Sequence, residues 1–196
     1  MNVLGIDLAG SPGRPTGVCV MDGKLEASCA TVFSDDEIIS RAESECPDII
    51  AVDAPLSLPE GREDIDIRSD IHLRECDREL LRRKIKFFPI TLGPMRMLTR
   101  RGISLKGILN EKGFSVIEVY PGAAQDILGI ARQKFPERLL GGLKKLGIGG
   151  LHDGLNVHEL DAVTSAYVGV MHLAGKAEEI GAPSGGLIVL PRAETF

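Results

Sequence analysis

At 196 residues, 43% hydrophobic and 26% charged, the chain has the size and composition of one ordinary globular domain with a core of its own. Its net charge of −5 argues against a generally basic nucleic-acid binder, and no apolar run approaches the ~20 residues of a membrane span. The N-terminus enters a strand pattern with no secretory signal before it, so a single cytoplasmic domain over 1–196 is expected. Cys19, Cys29, Cys46 and Cys76 are widely spaced and form no CxxC pair, which speaks for packed, reduced thiols rather than a zinc site or a disulfide framework.

The chain opens on a short apolar run, Val3, Leu4 and Ile6, suited to a strand covered on both faces. Asp7 follows inside that run, where an unpaired carboxylate is expensive. Gly10, Gly13 and Gly17, with Pro12 and Pro15, mark a turn. Thr16 to Met21 reads as a second strand, Asp22-Gly23 as a hairpin turn, and Leu25 to Phe33 as an antiparallel third strand. Ser34-Asp35-Asp36-Glu37 has capping-box spacing, so a helix runs to about Glu45 and stops before Pro47. Ile49 to Val52 is a short strand that runs into Asp53-Ala54-Pro55. This order predicts a mixed sheet whose first and fourth strands lie parallel and adjacent.

Pro55, Pro59 and Gly61 open a charged loop. A helix is expected from Ser69 or Asp70 to Lys86, with Arg74, Arg78 and Arg82 forming a basic stripe at i, i+4 and i+8, and Phe87-Phe88-Pro89 ending it. A second helix, about Met95 to Glu111, carries Arg96, Arg100 and Arg101. Together they make a helical insertion over about 56–113. Between Arg74 and Arg101 stand nine basic residues against three acidic ones, a local excess opposite in sign to the whole chain.

Phe114 to Tyr120 is the next strand, stopped by Pro121-Gly122. Short helices fit Ala123 to Leu128 and Pro136 to Leu146, and Gly147 to Gly154 is a glycine-rich connection. Asn156-x-x-Glu159 opens a long helix to about Ile180, with Leu160, Val163, Tyr167, Val170 and Ala174 on its apolar face. Gly186 to Leu190 is a last strand.

Asp7, Asp53 and Glu118 each interrupt or end an apolar strand, so neighbouring strands would gather them at one edge of a sheet. Asp161 lies in the second turn of the long helix, three residues after His158 on the same side. Two carboxylates ~4 Å apart repel by about 4 kcal/mol at an effective dielectric near 20. Bound divalent cations remove that cost, and Mg²⁺ or Mn²⁺ favours oxygen ligands. Each acid has a plainer reading: Asp7 as the start of the turn, bonded to its backbone amides, Asp53 as a turn residue, Asp161 as a solvated one, Glu118 as the partner of an arginine. The four together, three on strands and one on a helix, favour a metal-dependent phosphodiesterase.

Six stretches carry a resemblance: Gly5-Ile6-Asp7-Leu8-Ala9-Gly10, Val52 to Pro59, Arg74-Glu75-Cys76-Asp77, Met95 to Gly102, Glu118-Val119-Tyr120-Pro121, and His158-Glu159-Leu160-Asp161-Ala162. Nearly end to end, the chain resembles a domain-of-unknown-function family of predicted nucleases with a ribonuclease H-like fold. The resemblance implies an α/β fold, a mixed sheet flanked by helices with the helical insertion after the fourth strand. RuvC-like resolvases of the wider superfamily place acids on the first strand, the fourth strand and a late helix, which Asp7, Asp53 and Asp161 match; Glu118 lies outside that pattern.

The resulting expectation is a nuclease in which Asp7, Asp53 and Asp161 hold Mg²⁺ or Mn²⁺ and Glu118 completes the catalytic set. Arg74, Arg78, Arg82, Arg96, Arg101 and His158 would bind the nucleic-acid substrate, DNA or RNA. Glu75 and Glu79 offer the stripe a competing reading as a solvated helix. Few aromatics lie near it apart from Phe87 and Phe88, so contact with a duplex or branched backbone is expected in preference to base stacking. Two other classes compete. An actin-like kinase or ATPase would use the glycine-rich turn at Ala9 to Gly13 for phosphates, and a nucleic-acid-binding scaffold would carry acids without metal.

Overall fold

The computed structural model describes residues 1–193, so the last three residues of the expected domain lie outside it. Seven strands, β1 (Asn2–Asp7), β2 (Thr16–Asp22), β3 (Ala27–Val32), β4 (Ile49–Asp53), β5 (Val116–Val119), β6 (Ala177–Ala182) and β7 (Gly186–Pro191), form one sheet in the order β3-β2-β1-β4-β5-β7-β6. β1, β4, β5 and β7 run parallel, while β2 and β3 on one side and β6 on the other are antiparallel additions. The expected pairing of the first and fourth strands is present, with Asp7 directly beside Asp53.

The helices are α1 (Asp35–Glu45), α2 (Glu75–Arg82), α3 (Gly93–Glu111), α4 (Pro121–Ile127), α5 (Pro136–Lys145) and α6 (Val157–Leu173). Strand side chains alternate between faces, so Val3, Gly5 and Asp7 share one face and Leu4 and Ile6 the other. The first face packs on α6, with α4 and α5 behind it through Ala124, Leu139 and Leu143. The second is covered by Ile38 and Ala42 of α1 and by Leu105 and Leu109 of α3. α2 packs on β6 and β7 through Cys76 and Leu80 against Ile180, Ile188 and Leu190. No helix among the described residues is long and apolar enough to cross a membrane.

Both capping boxes form, Ser34 with Glu37 and Asn156 with Glu159. Three expected boundaries shift for identifiable reasons. β3 starts at Ala27 because Asp22 draws the amides of Lys24 and Glu26 onto its carboxylate, widening the turn. α2 spans only Glu75–Arg82. Residues before it are held as a loop by Arg62, whose guanidinium donates to the carbonyls of Asp64, Ile65, Ile67 and Ile71. Beyond it, Lys84 turns left-handed at φ 59°, and the amide of Ile85 donates back to the Leu80 carbonyl. The long helix ends at Leu173, not near Ile180, because Gly175 adopts φ 70° and Lys176 N–H returns to the Met171 carbonyl. Ala177–Ala182, rich in helix-forming Ala and Glu, is instead the edge strand β6, held by its ladder to β7.

The packing of α6 has one controlling feature. A Cβ on Gly5 would lie 2.2 Å from the Ala162 carbonyl oxygen and 2.4 Å from the Ala166 amide nitrogen. A Cβ on Gly17 would lie 2.1 Å from the His158 carbonyl oxygen. Helix backbone therefore lies directly on strand backbone at two points. Gly5→Ala should destabilise the fold by about 1–3 kcal/mol or more, since backbone cannot give way as a flexible side chain can. A chemical-denaturation midpoint equal to that of the native chain would show that the helix is free to retreat.

Candidate active site

The sheet brings three of the four expected acids to one place. Asp7 and Asp53 end neighbouring parallel strands in register, and their parity puts both on the α6 face. Asp161, buried in the second turn of α6, faces them closely enough that its charge acts on Asp53 and the charge of Asp7 acts on it. Burial pushes Asp53 well above the usual carboxylate range, and the charges of Asp7, Asp161 and Glu118 push the same way. Burial and the charge of Asp7 raise Asp161 to about 7, against the opposing pull of its hydrogen bond from Gln125 and the nearby His158 and Arg132.

Two polar neighbours orient these carboxylates. His158 Nδ1 donates to Asp7 Oδ2 at 2.7 Å, a bond that raises the imidazole pKa and leaves Nε2 without a partner. Gln125 of α4, buried among apolar residues, donates from Nε2 to Asp161 Oδ1 at 2.7 Å and to Thr164 Oγ1 at 3.1 Å. Asp7 Oδ1, Asp161 Oδ2 and both oxygens of Asp53 accept no hydrogen bond from the described residues. Gln125 was not anticipated, although a lone amide within the small apolar run Ala123-Ala124 could have signalled it.

Glu118 does not join this set. It pairs in register with Val52, one residue before Asp53, and so points to the opposite face of the sheet. There Oε2 accepts from Arg74 Nη1 at 2.8 Å and from the Leu56 amide at 2.8 Å. Arg74 also donates from Nε and Nη2 to Asp77, giving a buried Glu118–Arg74–Asp77 triad. Arg74, expected to contact substrate, is only 3% exposed and donates inward from all three nitrogens.

The other arginines are also largely engaged. Arg101 is buried, donating to Asp35, to the Ala9 carbonyl at 2.6 Å and to the Phe33 carbonyl, and so pins α3 to the turn after β1. Arg96 donates to the Thr91 carbonyl. Arg78 and Arg82 are exposed and pair with Glu75, Arg82 also with Glu79. Arg83 bridges Glu79 and Glu178, and Arg100 meets Asp66. Four of these acids, Asp35, Asp66, Glu118 and Glu178, lie outside the segment whose local excess of positive charge suggested a phosphate-binding surface.

Both glycine-rich stretches take part in internal hydrogen bonds. Ala9 N–H donates to Thr16 Oγ1, and its carbonyl receives Arg101. Gly149 exchanges backbone hydrogen bonds with Leu25 and Ala27.

Comparison with known proteins places this geometry. Residues 5–145 match the family described as "Protein of unknown function (DUF429)". The chain belongs to that family. No curated protein matches it. Among solved structures, T. thermophilus RuvC in complex with Holliday junction substrate aligns at 17% identity, covering 89% of this chain and 97% of that one, with a TM-score of 0.51. A second Thermus thermophilus RuvC structure aligns at 16% identity over the same shares, with a TM-score of 0.52. At such identity the likeness concerns the fold, which for this DUF429 member is therefore ribonuclease H-like, a mixed sheet flanked by helices.

No group of three or more His, Cys, Asp or Glu among the described residues is arranged to hold an ion by itself. The donor set nevertheless suits a hard divalent cation. Mg²⁺ is usually held by one or two carboxylates, with waters and substrate oxygens completing its octahedron. Uncommitted oxygens on Asp7, Asp53 and Asp161 meet that requirement.

The two classes of buried acid should respond oppositely to neutralisation. A carboxyl whose folded pKa is raised holds a proton that the unfolded chain has released, so its stabilisation is complete below about pH 4 and lost as pH rises towards 7. Metal-free Asp161→Asn and Asp53→Asn should therefore melt higher than the native chain at pH 8 and lose that advantage near pH 4. Glu118→Ala should melt lower throughout, by about 3–5 kcal/mol, because it strips a partner from a buried guanidinium. Thermal melts in EDTA across this pH range provide the check; a lower melting temperature for Asp53→Asn at pH 8 would make it a structural residue.

Proposed function

We propose that this protein is a metal-dependent nuclease that hydrolyses phosphodiester bonds of nucleic acid at the carboxylates of Asp7, Asp53 and Asp161. The observation that carries this reading is the meeting of three acids, from β1, β4 and α6, on one face at the ends of two parallel strands. Such a cluster is costly unless a cation neutralises it, and two of its members have raised pKa values, through burial first and through the neighbouring charges in addition. A bound Mg²⁺ or Mn²⁺ would supply the charge that polarises a phosphodiester and activates water.

The chain's own residues then have separable tasks. Asp53 and Asp7 offer adjacent oxygens to the ion, and His158 fixes the Asp7 carboxylate while leaving Nε2 to meet substrate. Gln125 fixes Asp161 in the same way. Glu118 acts at one remove: by holding the Leu56 amide and Arg74, it sets the turn that follows Asp53. No Ser or Cys nucleophile is required. Arg78 and Arg82 remain able to exchange Glu75 and Glu79 for phosphate, since exposed ion pairs are worth only about 0–1 kcal/mol. The likeness to a RuvC bound to a junction supports nucleic acid as the substrate class.

Asp53→Asn, nearly isosteric, should abolish Mg²⁺- or Mn²⁺-dependent cleavage of a mixed panel of DNA and RNA while leaving the fold intact. Gln125→Ala should lower activity less, by about 10–100-fold, as expected when the residue orienting a ligand is removed. Full metal-dependent cleavage by the Asp53→Asn protein would remove the basis of the proposal.

A further inference from the structure

Beside Asp53 the surface opens into a cleft of ≈ 250 Å³ whose walls include Phe87, Phe88, Met95, Leu98 and Tyr120. We propose that this cleft receives an unpaired nucleobase of the substrate, so that the preferred substrate is single-stranded at the cut. The inference rests on the nuclease reading of the adjoining carboxylates and adds the form of nucleic acid they act on.

The cleft's size and lining select a small, flat, largely apolar group. Its volume falls below the roughly 300–1,000 Å³ of pockets that enclose a drug-sized ligand. The walls are mostly apolar, and the charged groups among them, Asp53 and the Glu118–Arg74–Asp77 triad, hold more negative than positive charge, which disfavours a phosphate and leaves the apolar part to a ring. Of the chain's six Phe and two Tyr, Phe87, Phe88 and Tyr120 all stand here. Phe88 is 71% exposed, a large ring that the fold itself does not cover. Tyr120 stands next to the acids: burial raises its phenol, and the charge of Asp53 adds to that against the pull of Arg132. Its hydroxyl donates to the Lys86 carbonyl at 2.6 Å, which fastens the segment carrying Phe87 and Phe88 to the site.

Charge supports the same occupant. The same three aromatic rings also line an adjoining groove whose walls include Lys84, Lys86 and Arg132. Arg132 lies 5.9 Å over the Tyr120 ring while pairing with Asp126. Lys84 and Lys86 are exposed and have no ion-pair partner among the described residues, unlike Arg78 and Arg82 of α2 and Arg83 just beyond it. Uncompensated cations thus lie at the aromatic groove. Cations that follow a backbone beside rings that stack its bases are the arrangement of single-strand binding sites. A paired base would first have to leave its stack to enter such a cleft.

The test is binding without cleavage. Labelled short oligonucleotides, a deoxy strand, a ribo strand and the blunt duplex of the same sequence, are titrated with protein in EDTA and followed by fluorescence anisotropy. Single strands of at least one sugar type should bind more tightly than the duplex. Phe88→Ala, at an exposed position that leaves the melting temperature unchanged, should weaken strand binding about 5- to 100-fold and leave duplex binding unaltered. Lys84→Gln with Lys86→Gln should reduce the salt dependence of strand binding by roughly one to two units of log–log slope. Equal or tighter duplex binding, no binding of strands, or strand binding indifferent to Phe88→Ala would each overturn the proposal. Cleavage that needs Asp53 but ignores Phe88 would defeat the cleft and spare the nuclease reading. Strand binding that needs Phe88 in a protein that cleaves nothing would do the reverse.

Discussion

Helix α6 rests on β1 and β2 with no side chain between them at Gly5 and Gly17, and the position of the acidic site follows from that contact. Gly17 is the register partner of Asp7 on one side, as Asp53 is on the other. A side chain at 17 would lift the first turn of α6 off the sheet, taking His158 and Asp161 with it. Gly169 repeats the arrangement further along, where a Cβ would lie 2.6 Å from Val3 Cγ1. Helix and sheet are therefore clamped along their length, and Asp161 is delivered to the strand ends by rigid elements rather than by a loop. Rigid placement is what a site needing sub-ångström geometry requires.

Sheet parity then sorts the buried acids into two kinds. Asp7 and Asp53 face α6, where Asp161 has the same charge and the oriented partners are a histidine and an amide. Glu118, one strand over and offset by one residue, faces the other way and meets Arg74. The first group stays under-neutralised, and the second is internally balanced with Asp77. Burial raises the pKa of Glu118 too, but there the guanidinium opposes the shift, whereas at Asp53 every neighbouring charge adds to it. Unrelieved repulsion of the first kind is a property of sites that bind cations or hold protons, and the balanced triad is a property of structure.

Much of this was legible in the chain itself. Short apolar runs located β1, β2, β4 and β7, and the two capping boxes located the starts of α1 and α6. Asp7 and Asp53 stood out because each interrupts or ends an apolar strand, and Asp161 by its place in the second turn of the long helix, three residues after His158. What could not be read was long-range. β6 is built from Ala and Glu, which favour helix locally, and only its ladder to β7 makes it a strand. Arg62 gathers four carbonyls that keep the preceding loop from winding into α2, an effect with no periodic signature. The face on which Glu118 points depends on its register with β4, and a shift of one residue reverses the answer. Gln125 acts across α4 and α6, over a separation that no local motif spans.

The arginines carry the sharpest version of the same limitation. Counting charge within 74–101 gives a basic segment, yet folding brings Asp35, Asp66, Glu118 and Glu178 to it from both sides. Attraction that looked available to phosphate is largely satisfied within the protein. If the protein is the proposed nuclease, a chain of net charge −5 with three carboxylates at its site would still have to admit a polyanion. Within that segment Lys84 and Lys86 have no ion-pair partner among the described residues, and they flank a groove lined by aromatic rings rather than the helical stripe. Electrostatic attraction and ring surface thus coincide at one side of the acids. On that side a strand could gain stacking and charge together while its phosphodiester reaches the carboxylates, whereas along α2 each phosphate contact would first have to displace a glutamate.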